Sequence, residues 1–299
     1  ATADEEVGGE LGVQFLLKNH QELLKADFAV NEGGEEPIII GGKQVNFVQV
    51  GEKGTCWTRL VAKGTSCHGS VPALGDNAVV KMSRALERLS SYKPPILILP
   101  EIKELISQLV RLLGLEMDIT PETVDQAVDL FQDKAFSAYL NALTRMTVSP
   151  NSVHGGLKTN IVPDYCEADV DIRVLPGQNK EFVFGELRRL VGDQIEIDIA
   201  LYHQPTFSPS SSIFYKTIVE TVKDSGSDNT VLSCLSSGAT DSRYLRQHGI
   251  PSYGLGLMVA GFDQDLRKTV HGVNERIDIA SLKLKADFLV QLARRYLKD

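Results

Sequence analysis

The sequence predicts a two-domain α/β protein that includes a small α+β domain. Three observations carry that expectation. The chain has 299 residues, beyond the length at which a single hydrophobic core stops growing. Short strands with period-two alternation are interleaved with stretches of helical periodicity. From Lys158 on, the middle of the chain reads strand, helix, strand, as a small antiparallel sheet backed by helices would.

The elements follow in order. Leu11, Phe15, Leu16, Leu23 and Leu24 fall near helical spacing and predict a helix from Gly9 to about Lys25. ADFAVNEGG reads as a short strand ending on a glycine pair, and PIIIGGKQVNFVQVGEKG as two strands with turns. GTCWTRLVAKGTS gives a further strand, and GDNAVVKMSRALERLSSY a helix capped by Asp76 or Asn77. Residues 93–145 form a helical block. Ile102, Leu105, Ile106, Leu109 and Leu113 share one face there, Gly114 stops that helix and Pro121 opens the next. In EADVDIRVLPG, Ala168, Val170, Ile172 and Val174 face one side of a strand, opposite Glu167, Asp169, Asp171 and Arg173. KEFVFGELRRLVG is a helix and QIEIDIALY a strand. A helix at SSIFYKTIVETVKDSG, a strand and loop at TVLSCLSSGATDSRYL and an amphipathic helix bearing Leu282, Leu289, Leu292 and Tyr296 complete the chain.

Composition narrows the function. A formal charge of −8 with no basic cluster argues against nucleic acid as the main partner. Cys56, Cys67, Cys166 and Cys234 are scattered, without a C-x-x-C pair, which favours reduced thiols and a cytoplasmic location over a disulfide framework. The longest apolar stretch, PPILILPEIKELISQLVRLLGL, carries Glu, Lys and Arg and is too polar to span a bilayer, so no membrane role is expected.

Taken singly, the polar motifs are unremarkable loops. Asp4, Glu5 and Glu6 form an acidic run that most proteins keep as a solvated turn. NEGG is turn chemistry, and Arg173 between two aspartates reads as a strand ion pair. In combination they mean more. Carboxylates and an imidazole on glycine-adjacent loops are the donor set of a hydrolytic zinc site, because Zn²⁺ takes carboxylate oxygen and histidine nitrogen and glycine lets distant segments converge. Two neighbouring glutamates can divide the labour, one on metal and one moving a proton.

The order ATADEEVGG, NEGG, SCHGSVPALGDNAV, KTNIVPDYCEADVDIRVLPG, GATDSRYL with HGIPSYGLG, and HGVNERIDI resembles the co-catalytic zinc aminoacylase and carboxypeptidase family. That family includes acetylornithine deacetylase, succinyl-diaminopimelate desuccinylase and carboxypeptidase S. The resemblance covers essentially the whole chain. It implies a zinc-exopeptidase-like α/β/α catalytic domain in two parts, residues 1–53 and 207–299. It also implies an inserted ferredoxin-like lid and dimerisation domain at 54–206, with the helical block at about 93–146 inside it. Glu5 is then the general base, with Glu6 and His271 on one zinc and Glu32 on the other. Mn²⁺ or Co²⁺ would also suit such a site. His68 becomes the lid histidine that stabilises the oxyanion across a homodimer, Asn160 and Arg173 hold the substrate carboxylate, and the backbone from Gly238 to Asp241 lines the pocket. The implied reaction is metal-dependent hydrolysis of an amide in a peptide or N-acyl amino acid.

The resemblance also sets a contrary expectation. The family carries an H-x-D histidine ligand and a bridging aspartate ahead of the DEE segment, and both are absent from this sequence. The reading is therefore of an incomplete catalytic domain, with weak zinc binding and no turnover by this chain alone. The competing reading is a non-catalytic dimerisation or binding module of the same descent.

Overall fold

A computed structural model describes residues 2–34, 36–225, 230–259, 261–270 and 272–297. In chain order the first elements are α1 (Val13–Asn19), β1 (Ala29–Asn31), β2 (Ile38–Ile40), β3 (Lys43–Glu52), β4 (Gly54–Lys63), β5 (Cys67–His68) and α2 (Ala78–Ser90). Then come α3 (Pro100–Leu112), α4 (Val124–Val128), α5 (Lys134–Ala142), β6 (Thr147–Gly155), β7 (Ile161–Val162), β8 (Tyr165–Val174), α6 (Lys180–Val191) and β9 (Ile195–His203). The chain closes with β10 (Thr206–Phe207), α7 (Ile213–Asp224), β11 (Thr230–Ser236), α8 (Ser242–Gln247), β12 (Ser252–Leu255) and α9 (Ile279–Tyr296). They group into two compact units, one of residues 1–52, 99–137 and 206–299, the other of 53–98 and 138–205.

The first unit is built on a mixed six-stranded sheet. β12 lies between β1, to which it is parallel, and β3, to which it is antiparallel. β11 runs parallel to β3, and β2 forms a hairpin with it. The hairpin turns on Gly41 and Gly42, both with positive φ. A Cβ on Gly41 would stand 1.9 Å from the Leu112 carbonyl oxygen, so no other residue fits. β3 is the central strand, buried from Val45 to Glu52.

The second unit is a βαββαβ arrangement, β4-α2-β6-β8-α6-β9, whose antiparallel sheet has the order β6-β8-β4-β9. That is the ferredoxin-like pattern. Alternation does what it predicts: Ala168, Val170, Ile172 and Val174 are buried with Cys56, Leu60 and Ala62 beneath α2 and α6. The other face is polar, with Arg59 Nε donating to Asp169 Oδ1 at 2.9 Å. Asn77 caps α2 by accepting from the Val80 N–H. Lys53 is buried at the start of this unit, and its Nζ donates to the carbonyls of Ala142 and Arg145 at 2.7 and 2.9 Å. Ala142 is the last residue of α5 and Arg145 lies just beyond it, so the donor meets the negative end of the helix, while burial lowers the Lys53 amine to about 7.

Three expectations are corrected. Residues 99–137 of the helical block belong to the first unit, not to the inserted domain. The reason is packing: Ile102, Leu105, Ile106 and Leu109 are fully buried as α3 lies on β11, and Phe136 packs against Phe47 of β3. The first helix spans only Val13–Asn19, because His20 adopts φ −144° and a 3-10 turn, Gln21–Leu24, follows. On α9 the buried residues are Ser281, Phe288 and Leu292, while Leu282 and Leu289 are exposed.

Candidate active site

In the first unit the acidic run forms a 3-10 turn, Glu5–Val7, held at both ends. Asp4 adopts the left-handed conformation, its Oδ2 accepts from the Leu11 N–H at 2.9 Å, and its carbonyl accepts from the Gly9 N–H at 2.8 Å. Tyr244 Oη and Gln14 Nε2 each donate to the Gly8 carbonyl at 2.7 Å, and Thr2 Oγ1 donates to Asp241 Oδ2 at 2.7 Å. The turn is thus fastened to the segment around α8, more than 200 residues away in sequence.

Glu32 follows β1 and opens the NEGG turn. Gly33 and Gly34 have φ values of 107° and 78°, and a Cβ on Gly33 would lie 2.3 Å from Gln49 Oε1. Both the left-handed backbone and the close approach of Gln49 demand glycine there. The strand leading to Glu32 is pinned by Asn31 Nδ2, which donates to Ser242 Oγ at 3.2 Å.

These segments converge electrostatically on Glu5. Burial, then the charges of Glu32, Asp241 and Glu6, push its carboxyl up to about 7, and it shares a side-chain hydrogen bond with Glu32. Among the described residues, no three His, Cys, Asp or Glu side chains stand close enough together to hold a metal ion. His271 lies outside the described residues. A pH dependence follows. Between about 4.5 and about 7 the folded, metal-free protein binds more protons at Glu5 than the unfolded chain, so its stability falls as pH rises through that window. Glu5→Gln should flatten this part of a urea-midpoint against pH profile; an unchanged slope would disprove the assignment.

In the second unit β5 and β7 form a two-stranded ribbon that pairs His68 with Ile161. The Gly69 N–H donates to the Asn160 carbonyl at 2.7 Å, which brings the His68 and Asn160 segments side by side. The Ser70 N–H donates to His68 Nδ1 at 3.2 Å, so a neutral ring carries its proton on Nε2, and His68 is exposed. Arg173 instead grips its own strand. Its Nε and Nη2 donate to the two oxygens of Asp171 at 2.7 and 3.0 Å, and Nη1 donates to Thr55 Oγ1 at 3.0 Å.

Residues 50–198 match the family model described as the peptidase dimerisation domain of M20 type. The chain therefore carries a peptidase dimerisation domain of M20 type. It is 24% identical over 304 residues to the human N-fatty-acyl-amino acid synthase/hydrolase PM20D1, covering 97% of this chain and 59% of that one. It is 26% identical over 296 residues to a probable carboxypeptidase S-like protein of Dictyostelium discoideum, covering 92% and 54%. The fold matches aminopeptidase PepT of Bacillus cereus with a TM-score of 0.60 at 16% identity, covering 97% of this chain and 62% of that one. Human carnosine dipeptidase 1 also gives 0.60, at 14% identity, covering 97% and 65%. The chain therefore spans little more than half of the curated relatives it matches.

Within this fold the motif residues divide between the units. Glu5, Glu6, Glu32 and Gly238 lie in the first, His68, Asn160 and Arg173 in the second. Sequence reasoning gave the Gly238–Asp241 loop a backbone role and missed the Asp241 carboxylate. Asp241 occupies the N-cap position of α8 without capping it, and its side chain faces Glu5 and Thr2 instead. A T-D-S sequence ahead of a helix reads as an ordinary cap, which hid it.

Proposed function

We propose that this protein is a metal-dependent hydrolase of amide bonds in peptides or N-acyl amino acids, acting as a homodimer in the cytoplasm. The observation that carries the reading is the convergence of Glu32, Asp241 and Glu6 on Glu5. Crowded carboxylates call for a cation to offset their repulsion, and hard oxygen donors beside an imidazole suit Zn²⁺, with Mn²⁺ or Co²⁺ as substitutes. The named activities of the relatives, a fatty-acyl-amino acid hydrolase and carboxypeptidases, agree with it.

Glu6 with His271, and Glu32, would hold two zinc ions, which when bound supply Lewis acidity and an acidified water. Glu5 accepts a proton from the attacking water and delivers it to the leaving amine. His68 donates from Nε2 to the developing oxyanion. Asn160 and the N–H groups that Arg173 does not spend on Asp171 and Thr55 orient the substrate carboxylate, and the loop at Gly238 lines the pocket. The dimerisation domain supports pairing of two chains through residues 50–198. Four cysteines that form no disulfide, three of them buried, fit a reducing compartment, and among the described residues no helix is long and apolar enough to cross a membrane.

A non-catalytic dimerisation module is the second reading, favoured by the family match falling on the dimerisation domain. One experiment separates them. The purified protein is treated with chelator, reloaded with zinc, and assayed for amine release from N-acyl amino acids and dipeptides, with metal content and sedimentation measured in parallel. Chelator-sensitive, zinc-restored turnover supports the hydrolase. A dimer that takes up no zinc and releases no amine leaves the module.

A further inference from the structure

Among the cavities, surface patches and buried polar groups outside the residues already assigned, one buried network runs between the two loops of the candidate site. We infer that Gln49 and Glu52 are positioning residues that fix the separation of the NEGG turn and the Gly238–Asp241 loop. The inference rests on the hydrolase reading only for what those loops do; the network itself stands on geometry.

β3 is a central strand whose Val45, Phe47, Val48 and Val50 are at most 1% exposed, yet Gln49 and Glu52 are equally buried. An amide and a carboxylate in such surroundings cost free energy unless their hydrogen bonds are made. At Gln49 and at Glu52 Oε1 they are made along one line, while Glu52 Oε2 is buried without a partner. Gln49 Oε1 accepts from the Gly34 N–H at 2.8 Å, two residues after Glu32. Gln49 Nε2 donates to Glu52 Oε1 at 3.0 Å. That same oxygen accepts from Thr240 Oγ1 at 2.6 Å, one residue before Asp241. Arg246 Nη1 stands 3.3 Å from it. Arg246 is in turn fixed by the Ser252 carbonyl, to which Nη2 donates at 2.7 Å.

The line is directional. An amide flipped at Gln49 would set its oxygen against the Glu52 carboxylate and its NH₂ against the Gly34 N–H, so only one orientation satisfies both neighbours. Glutamine, a hydrogen-bond relay with a donor at one end and an acceptor at the other, is what this position requires. The strut therefore joins the residue after the Glu32 turn to the residue before Asp241. Those are two of the carboxylates whose charges act on Glu5. Its length sets how far apart they are held.

The test cuts the strut at one end and reads the other. Thr240→Val removes the hydroxyl at nearly constant volume, and Thr240→Ser keeps it. Amide hydrogen exchange of the metal-free full chain is followed by NMR. Thr240→Val is expected to speed exchange about tenfold both in the 237–241 loop and remotely at Gly34, with Thr240→Ser restoring both. Gln49→Met, cut from the middle, should loosen the 237–241 loop in the same way, and serves if Thr240→Val fails to fold. Acceleration confined to the substituted loop, or no rescue by serine, overturns the inference. Zinc calorimetry on the same proteins separates this inference from the functional reading. If the unsubstituted chain binds zinc, Gln49→Met should weaken it about tenfold or more, as loss of an outer-shell hydrogen bond does, and unchanged affinity counts against positioning. If the unsubstituted chain binds none while the remote exchange effect is present, the strut stands and the hydrolase reading falls.

Discussion

Under the proposed hydrolase function, replacing Glu5 by glutamine is expected to slow amide hydrolysis by about 10²- to 10⁴-fold, the usual contribution of a positioned general base. Zinc affinity should stay close to that of the unsubstituted protein, since Glu5 is assigned to the proton and its neighbour Glu6 to the metal. Glutamine keeps the shape and can still hydrogen-bond to Glu32, so the loss isolates proton transfer from packing. In the metal-free protein, burial and the surrounding carboxylates push the Glu5 carboxyl up to about 7. The measurement is kcat at saturating substrate with metal content determined on the same sample. Equal losses of kcat and of bound zinc would move Glu5 from base to ligand.

The second large effect concerns stability. Arg246 and Glu52 face each other at 3.3 Å with each side chain only 2% exposed. Removing one partner of such a pair leaves a charge stranded in a medium that solvates it poorly. Arg246→Met should therefore destabilise the protein by about 3–5 kcal/mol. Urea unfolding measures it, with the two compact units allowed separate transitions. The double replacement Arg246→Met with Glu52→Leu should recover much of the loss, because no lone charge remains, though the Ser252 carbonyl forfeits its guanidinium donor. A single variant costing less than about 1 kcal/mol would mean that the pair carries little of the fold. In the double variant stability and metal affinity should part company, since the carboxylate that joins the site loops is gone.

Local patterns were readable wherever a residue's neighbours in sequence decide its surroundings. The alternation along β8 predicted which side chains are buried because a strand with one covered face allows no other register. The spacing in α3 likewise marked its buried stripe. What the pattern left open was the partner: an apolar helical face does not say which sheet it covers, and α3 chose β11. In α9, Leu282 and Leu289 fit a helical stripe, but the face turned inward runs through Ser281 and Phe288. Ser281 is drawn in by the hydrogen bond it gives Val259 N–H a place to make.

The site divides along the same line. The family motifs identified Glu5 and Glu32, which do meet, because glycine turns and acidic pairs leave a local trace. At Arg173 three guanidinium N–H groups go to Asp171 and Thr55, the ion pair that its flanking residues alone suggest, and the others are left for the substrate in the proposed function. Gln49, Glu52 and the carboxylate of Asp241 act through residues far away in sequence. For Gln49 and Glu52 the trace in sequence was polar side chains in a strand whose buried stretch also holds Val45, Phe47, Val48 and Val50.

The β1–β12 pairing joins Ala29 to Ser252, so the sheet of the first unit spans most of the chain's length. A ribosome must release the chain beyond Gly254 before that edge can close, whereas residues 53–205, which contain the ferredoxin-like unit, are finished earlier. Synthesis thus imposes an order: the unit of residues 53–205 matures first, while β1 waits for β12. Stalled nascent chains of increasing length, probed by brief protease exposure, should show protection of the interior unit well before that of residues 29–52.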